Sequence, residues 1–128
     1  MDARWFWVCL GGAAGTAARY WVACWAPQAL GSAFPYATLL VNALGSFLLG
    51  VVLQIGLSGE LLPTTARVAL SVGVLGGFTT YSTFCYETLE YLREGEWWTG
   101  ALYTSITVFG SLVACALGVA LAKSLSGG

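Results

Sequence analysis

The chain has 128 residues, of which 58% are hydrophobic and only 9% are charged, and its mean hydropathy is +0.78. A soluble domain carries about 25% charged residues, so this composition indicates an integral membrane protein. The chain contains no histidine and has a net charge of −1, which excludes a His-based catalytic or zinc site within one chain and a basic patch for nucleic acid.

Four stretches are long and apolar enough to cross a bilayer, which requires about 20 residues each. They cover approximately residues 5–25, 36–55, 66–92 and 98–122, and short connections rich in Gly, Pro and charge separate them. The first stretch resembles a signal peptide, but the later ones are equally apolar, so we interpret it as a span. The sequence therefore predicts an all-α integral membrane protein, with residues 1–128 as a single transmembrane domain.

Small residues recur four apart in three of the spans, where they allow helix backbones to approach closely. The first row is Gly11 and Gly15, the second is Gly73 and Gly77, and a longer row runs through 110, 114, 118 and 122. Such rows serve packing within one chain or contact with a second chain. Because four short helices enclose little interior, we expect some rows to face a partner chain.

Two polar residues lie within the first two spans. Arg19 is a charge in the first span, and Asn42 lies in the middle of the second. A polar group in lipid is costly and needs a partner or a function. An interhelical hydrogen bond contributes only about 0.6 kcal/mol on average, so a structural and a functional role for Asn42 are equally open.

The third span contains Gly76-Gly77 followed by Thr79-Thr80, which is a poor helix sequence. This pattern predicts a helix broken in mid-membrane, with a Gly-rich packing kink as the alternative. Non-helical backbone at membrane depth is tolerated where it is buried in protein or lines an aqueous cavity. Carbonyls freed at such breaks can coordinate a cation.

Polar and aromatic residues follow the predicted break at helical spacing. Thr80, Thr83 and Glu87 share one face, and the rings of Tyr81 and Phe84 are three apart, so they should lie on nearly the same side. Such an aromatic pair is more often packing than function. Glu87 and Glu90 near the span end could be solvated or paired with Arg93.

The fourth span carries hydroxyl groups at Tyr103, Thr107 and Ser111, each four residues apart on one face. Each Ser or Thr hydroxyl could bond the carbonyl one turn earlier in its own helix. A row that reaches from the helix end towards mid-membrane is more typical of a hydrated path, which is the interpretation that we favour.

Three segments together resemble the Fluc (CrcB) family of small fluoride channels. GGAAGTAARY resembles the glycine-rich first helix of the family, TLLVNALGSFLLG resembles its T-L-x-V-N-x-x-G-x-F-x-x-G motif, and GGFTTYSTFCYE resembles G-G-x-T-T-F-S-T-F-x-x-E. The segments occur in the family's order, and with the four-span pattern the resemblance covers nearly the whole chain. The chain departs from the pattern at Tyr81, where the family has phenylalanine.

The resemblance implies a role for specific residues. Backbone carbonyls of Gly76 and Thr79 would bind a structural Na⁺ at a dimer interface, and Arg19 would offset the charge of an anion in the membrane. The aromatic positions Tyr81 and Phe84 would face the permeating ion. The resemblance implies that Asn42, Tyr81, Phe84 and Ser111 line the fluoride pore. The full predicted pore set adds Thr80, Ser82, Thr83 and Thr107.

The resemblance also implies an assembly and an activity. Two subunits would pair antiparallel as a dual-topology homodimer with two pores, although a related chain could replace the identical partner. The dimer would export toxic fluoride passively across a prokaryotic plasma membrane and would not be an enzyme. The alternatives are a small multidrug transporter, which requires an acid in its first helix, a membrane scaffold, and an intramembrane enzyme, for which no Ser–His or metal constellation is present.

Overall fold

The computed structural model describes residues 2–57, 59 and 61–127, and over these residues the regular structure is entirely helical. Between Thr64 and Arg93 several helical segments follow one another and form a third long unit. The predicted all-α fold is thus confirmed, and the long helical units number four in the described chain. The helices are α1 (Ala3–Leu30), α2 (Tyr36–Leu57), α3 (Thr64–Val68), a π-helical segment (Ala69–Leu75), α4 (Gly76–Phe78), α5 (Tyr81–Arg93) and α6 (Trp97–Leu125).

The helical units differ in how well they suit a bilayer. Among the described residues, three units are long and apolar enough to cross it: Tyr36–Leu57, Thr64–Arg93 and Trp97–Leu125. Helix α1 has 28 residues, which corresponds to about 42 Å, but it is less apolar because it includes Arg4, Arg19, Pro27 and several glycines. Its role as a fourth span therefore stays a prediction.

Large apolar side chains cover the outside of the molecule. Phe109 is 65% exposed, and the rings of Trp21, Trp97 and Trp98 are likewise exposed. Soluble monomers rarely expose apolar surface on this scale. The outer surface is instead suited to lipid, and the small buried core lies between the helices.

Helix α1 packs backbone to backbone against the π-helical segment through two glycine pairs. A Cβ atom added to Gly11 would lie 2.7 Å from the Ala69 carbonyl oxygen, and one added to Gly73 would lie 2.8 Å from that of Val8. Gly15 and Gly77 are similarly confined. These two rows therefore serve packing within one chain, and the expectation that some rows face a partner stays a prediction for the row on α6.

Helix α2 also packs closely along α6 through glycines that face the backbone of the other helix. A Cβ at Gly50 would collide with the Cys115 carbonyl oxygen, and one at Gly118 would collide with that of Phe47. Gly110 in the same row has open space around it. The row on α6 is therefore divided, because only its later part is buried against α2.

Candidate functional site

The third helical unit has an interruption at Thr79 and Thr80, which lie between α4 and α5. Thr79 has φ −84° and ψ 160°, and Thr80 has φ −148° and ψ 119°, so both are extended. The Thr80 hydroxyl oxygen accepts from the Thr83 N–H at 3.3 Å and caps the start of α5. Gly76 and Gly77 precede these threonines and weaken the helix, and Thr80 caps the next one. The local sequence therefore favours two helix ends over one continuous helix.

Asn42 of α2 holds the extended backbone in place. Its Nδ2 donates to the Thr80 carbonyl at 2.9 Å, and its Oδ1 accepts from the Thr80 N–H at 2.8 Å. The Asn42 side chain therefore supplies the hydrogen-bond partners that the N–H and C=O of Thr80 would otherwise find within a helix. An amide nitrogen carries two hydrogens, so the second N–H of Asn42 can still be offered to an anion.

Arg19 of α1 bonds to the backbone just before the same segment. Its Nε donates to the Gly77 carbonyl at 2.9 Å, and its side chain is half-buried. A cation at a helix C-terminus interacts favourably with the carbonyl groups that end there. Arg19 thus ties α1 to the end of α4 and brings a positive charge next to the interruption.

The interruption also alters the pairing of the Gly76 and Thr79 carbonyls, which the family resemblance implied as cation ligands. In a continuous helix the Gly76 carbonyl would accept from the Thr80 N–H, but that N–H donates to Asn42. The Thr79 carbonyl would accept from the Thr83 N–H, but that N–H donates to the Thr80 hydroxyl. Both carbonyls have therefore lost their helical donors.

The central cavity, of about 330 Å³, gathers most of the residues that the sequence indicated. Its walls come from α2, the segment around the interruption, α5 and α6. Hydrogen-bond donors from three separate parts of the chain therefore line a largely apolar space. The predicted site residues that line it are Asn42, Gly76, Thr79, Thr80, Tyr81, Phe84, Thr107 and Ser111.

The hydroxyl groups of Thr107 and Ser111 are the most informative feature of this cavity. Both oxygens are buried and have no hydrogen-bond partner among the described residues. The hydroxyls of Ser71, Thr79 and Thr88 behave differently, since each donates to the carbonyl four residues earlier at 2.7–2.9 Å. An unpaired buried polar group costs about 1–3 kcal/mol, so a guest that accepts hydrogen bonds would be stabilised here.

The rings of the two aromatic residues lie next to each other, as expected from their spacing, but they differ in exposure. Their centroids are 6.0 Å apart with planes tilted by 52°. Phe84 is 7% exposed because it packs inside the chain against Tyr103, whereas Tyr81 is 77% exposed. The ring of Tyr81 is thus largely exposed on the outside of the chain, although it also lines the central cavity.

The outer cavity, of about 610 Å³, lies beside the ends of α1 and α5 and is lined by Thr38, Thr83, Glu87 and the connection at 31–35. A small third cavity, of about 100 Å³, is lined by Arg19, Thr38, Thr80 and Thr83. Of the predicted pore residues, Thr83 therefore lies by these two cavities. Ser82 is exposed and lines none of the three.

One polar pair was missed in the sequence. The Tyr103 hydroxyl donates to Glu87 Oε1 at 2.7 Å, whereas Arg93 pairs with Glu90 at 2.7 Å. Of the two glutamates, Glu90 therefore pairs with Arg93 at the surface, whereas the half-buried Glu87 accepts a hydrogen bond from Tyr103. The two partners of the inner bond lie on different helices, so no periodic pattern could reveal it.

Comparisons with known proteins agree on one family. The family model described as CrcB-like protein, Camphor Resistance (CrcB), matches residues 6–119. A protein of Sorangium cellulosum named fluoride-specific ion channel FluC is 49% identical over 98% of both chains. Relatives with the same name are 47% identical in Anaeromyxobacter sp. (strain K), over 98% of this chain and 99% of the relative, and in a strain of Thermus thermophilus, over 97% of each.

Proposed function

Because this chain belongs to the family of CrcB-like proteins, we propose that it is a fluoride-selective channel that releases cytoplasmic fluoride passively. One structural observation supports the proposal independently of the names of the related proteins. The hydroxyl groups of Thr107 and Ser111 are buried without a hydrogen-bond partner among the described residues. They line one cavity with the Asn42 amide and Phe84. This donor set on an apolar wall suits a small anion.

The proposed pathway replaces the hydration shell of fluoride with groups of the chain. Hydroxyl groups and the free N–H of Asn42 act as donors, and the electropositive edges of aromatic rings can face the ion. Arg19 offsets part of the cost of an anion in a low-dielectric region. Thr83 and Glu87 then lead towards the outer cavity. This path requires no covalent chemistry and no energy source, as expected for a channel rather than an enzyme.

The proposed assembly is an antiparallel, dual-topology homodimer with two pores in a prokaryotic plasma membrane. Tyr81 supports a partner chain, since this pore candidate is largely exposed on the outside of its own chain. The open space at Gly110 on α6 leaves room for close contact there. In this proposal α1 is the fourth span, and the interruption at Thr79–Thr80 lies in mid-membrane.

The first prediction concerns transport by the purified chain. Proteoliposomes loaded with fluoride should release it on addition of a potassium ionophore, and those loaded with chloride should not. A fluoride electrode and a chloride electrode measure the two rates. Equal release of both ions would contradict selectivity, and absence of fluoride release from a folded, reconstituted protein would contradict the proposed function. If the dimer is required, the fraction of vesicles that release fluoride should follow the Poisson distribution for units of two chains, and the distribution for single chains would contradict the dimer.

A structural Na⁺ held by the Gly76 and Thr79 carbonyls belongs to the same proposal. The loss of helical donors by both carbonyls fits a hard cation, which prefers oxygen ligands. The ion would fix the two interruptions of a dimer to each other.

The second prediction is that a well-resolved experimental structure of the dimer contains an ion at these carbonyls, with no exchange during purification in sodium-free buffer. A water molecule, or carbonyls turned away from the interface, would contradict the sodium site without affecting the transport prediction.

A further inference from the structure

The connection between α1 and α2 folds over the outer cavity. Helix α1 ends where the Gly31 N–H donates to the Pro27 carbonyl at 3.0 Å, and Gly31 takes a φ of 90°, which glycine adopts without strain. Residues 31–35 all line the outer cavity. Within this short segment Phe34 and Pro35 are half-buried, whereas the three residues before them are exposed. Phe34 is the one of the two that makes a ring contact with a distant helix, and it therefore anchors the connection.

The anchor of Phe34 is Tyr103 on α6. The two ring centroids lie 5.4 Å apart with planes at 89°, which is the favoured edge-to-face arrangement. Tyr103 also contacts Phe84 at 5.3 Å and Tyr91 at 6.0 Å, and it is fully buried with 0% exposure. Phe34 thus closes the aromatic cage that determines where the Tyr103 ring can lie.

The cage links the two larger cavities. Phe84 lines the central cavity, Phe34 lines the outer cavity, and Tyr103 is packed between their rings. The hydroxyl of Tyr103 donates to Glu87, which lines the outer cavity. A displacement of Tyr103 would therefore alter both the ring contact beside the central cavity and the polar pair beside the outer cavity.

We propose that Phe34 is a positioning residue, which holds the Tyr103 hydroxyl on Glu87 and so couples the α1–α2 connection to ion passage between the two cavities. The proposal rests on the proposed function for its consequence in transport. Its structural content, the control of Tyr103 by Phe34, is independent of which ion passes.

The third prediction follows for variants of Phe34. Phe34→Ala should lower fluoride efflux by about tenfold, because Tyr103 loses one wall of its cage, and Phe34→Tyr should retain most of the rate since it keeps the ring. Phe109→Ala is the matched control, because it removes an exposed ring that lines none of the three cavities. Parental efflux from Phe34→Ala, or an equal loss in Phe109→Ala, would overturn the proposal.

A double variant separates positioning from general packing. In a Tyr103→Phe background the hydroxyl is absent, so Phe34→Ala should cause no further loss of efflux. An undiminished tenfold effect in that background would show that Phe34 acts without the Tyr103 hydroxyl, contrary to the proposal.

A spectroscopic readout makes the test independent of transport. In protein labelled with 3-fluorotyrosine, the ¹⁹F resonance of Tyr103, assigned by its loss in Tyr103→Phe, should shift or broaden in Phe34→Ala and stay unchanged in Phe109→Ala. An unchanged Tyr103 resonance in folded Phe34→Ala would overturn the proposal. A parent that transports no fluoride would contradict only the proposed function, because the resonance still reports on the cage.

Discussion

Replacement of Asn42 by leucine is expected to abolish fluoride efflux, with a fall of about 100-fold or more, equivalent to about 3 kcal/mol in the barrier. The reason is twofold. Leucine removes the N–H that the proposed pathway offers to the ion, and it leaves the N–H and C=O of Thr80 without the partners at 2.8 and 2.9 Å. Each unpaired buried group costs about 1–3 kcal/mol, so the extended segment should also move.

Ser105→Leu is the matched control for Asn42→Leu, because Ser105 is exposed on α6 and lines none of the three cavities. It also replaces a polar residue of a helix by leucine, but it leaves the cavity and Thr80 untouched, so its efflux should stay near the parental rate. Elution of each variant from size-exclusion chromatography in detergent verifies that it is folded. Near-parental efflux from a folded Asn42→Leu would mean that Asn42 is dispensable both as a donor and as the support of Thr80.

Tyr81 is expected to tolerate phenylalanine but not isoleucine. A tyrosine ring keeps the electropositive edges at its ortho and meta carbons and carries a hydroxyl in place of the para hydrogen. Tyr81→Phe should therefore conduct fluoride and still reject chloride. Tyr81→Ile has neither a ring edge nor a hydroxyl, and its efflux should fall by about tenfold or more.

Fluoride efflux from proteoliposomes of the parent and the two variants measures this effect. Tyr20→Ile is the matched control, since Tyr20 is an exposed ring on α1 that lines none of the three cavities. If Tyr81→Ile conducts as well as the parent, the exposed ring has no part in permeation, and Phe84 would be the single aromatic residue of the pathway. A loss in both isoleucine variants would point to folding instead.

The amino-acid sequence by itself determined the all-helical architecture, and it indicated eight of the residues that line the central cavity. Long apolar stretches separated by Gly, Pro and charge define helices without reference to any partner. The spacing of four between Thr107 and Ser111 places both on one helix face whatever surrounds it. Gly76-Gly77 and Thr79-Thr80 indicated weak helical backbone, and extended geometry occurs at Thr79 and Thr80. All of these are local properties of the chain.

The tertiary structure alone decided which residues meet across helices. Asn42 bonds to Thr80 across 38 residues, Arg19 bonds to Gly77 across 58, and the Tyr103–Glu87 bond joins two helices that run past each other. Periodicity relates residues of one helix, but it contains no information on the rotation and offset of a neighbouring helix. Those depend on where glycine allows backbones to approach, as at Gly11 and Gly73, so the sequence could not show that these glycines pack inside one chain. For the same reason it could not show that Phe34 packs against Tyr103.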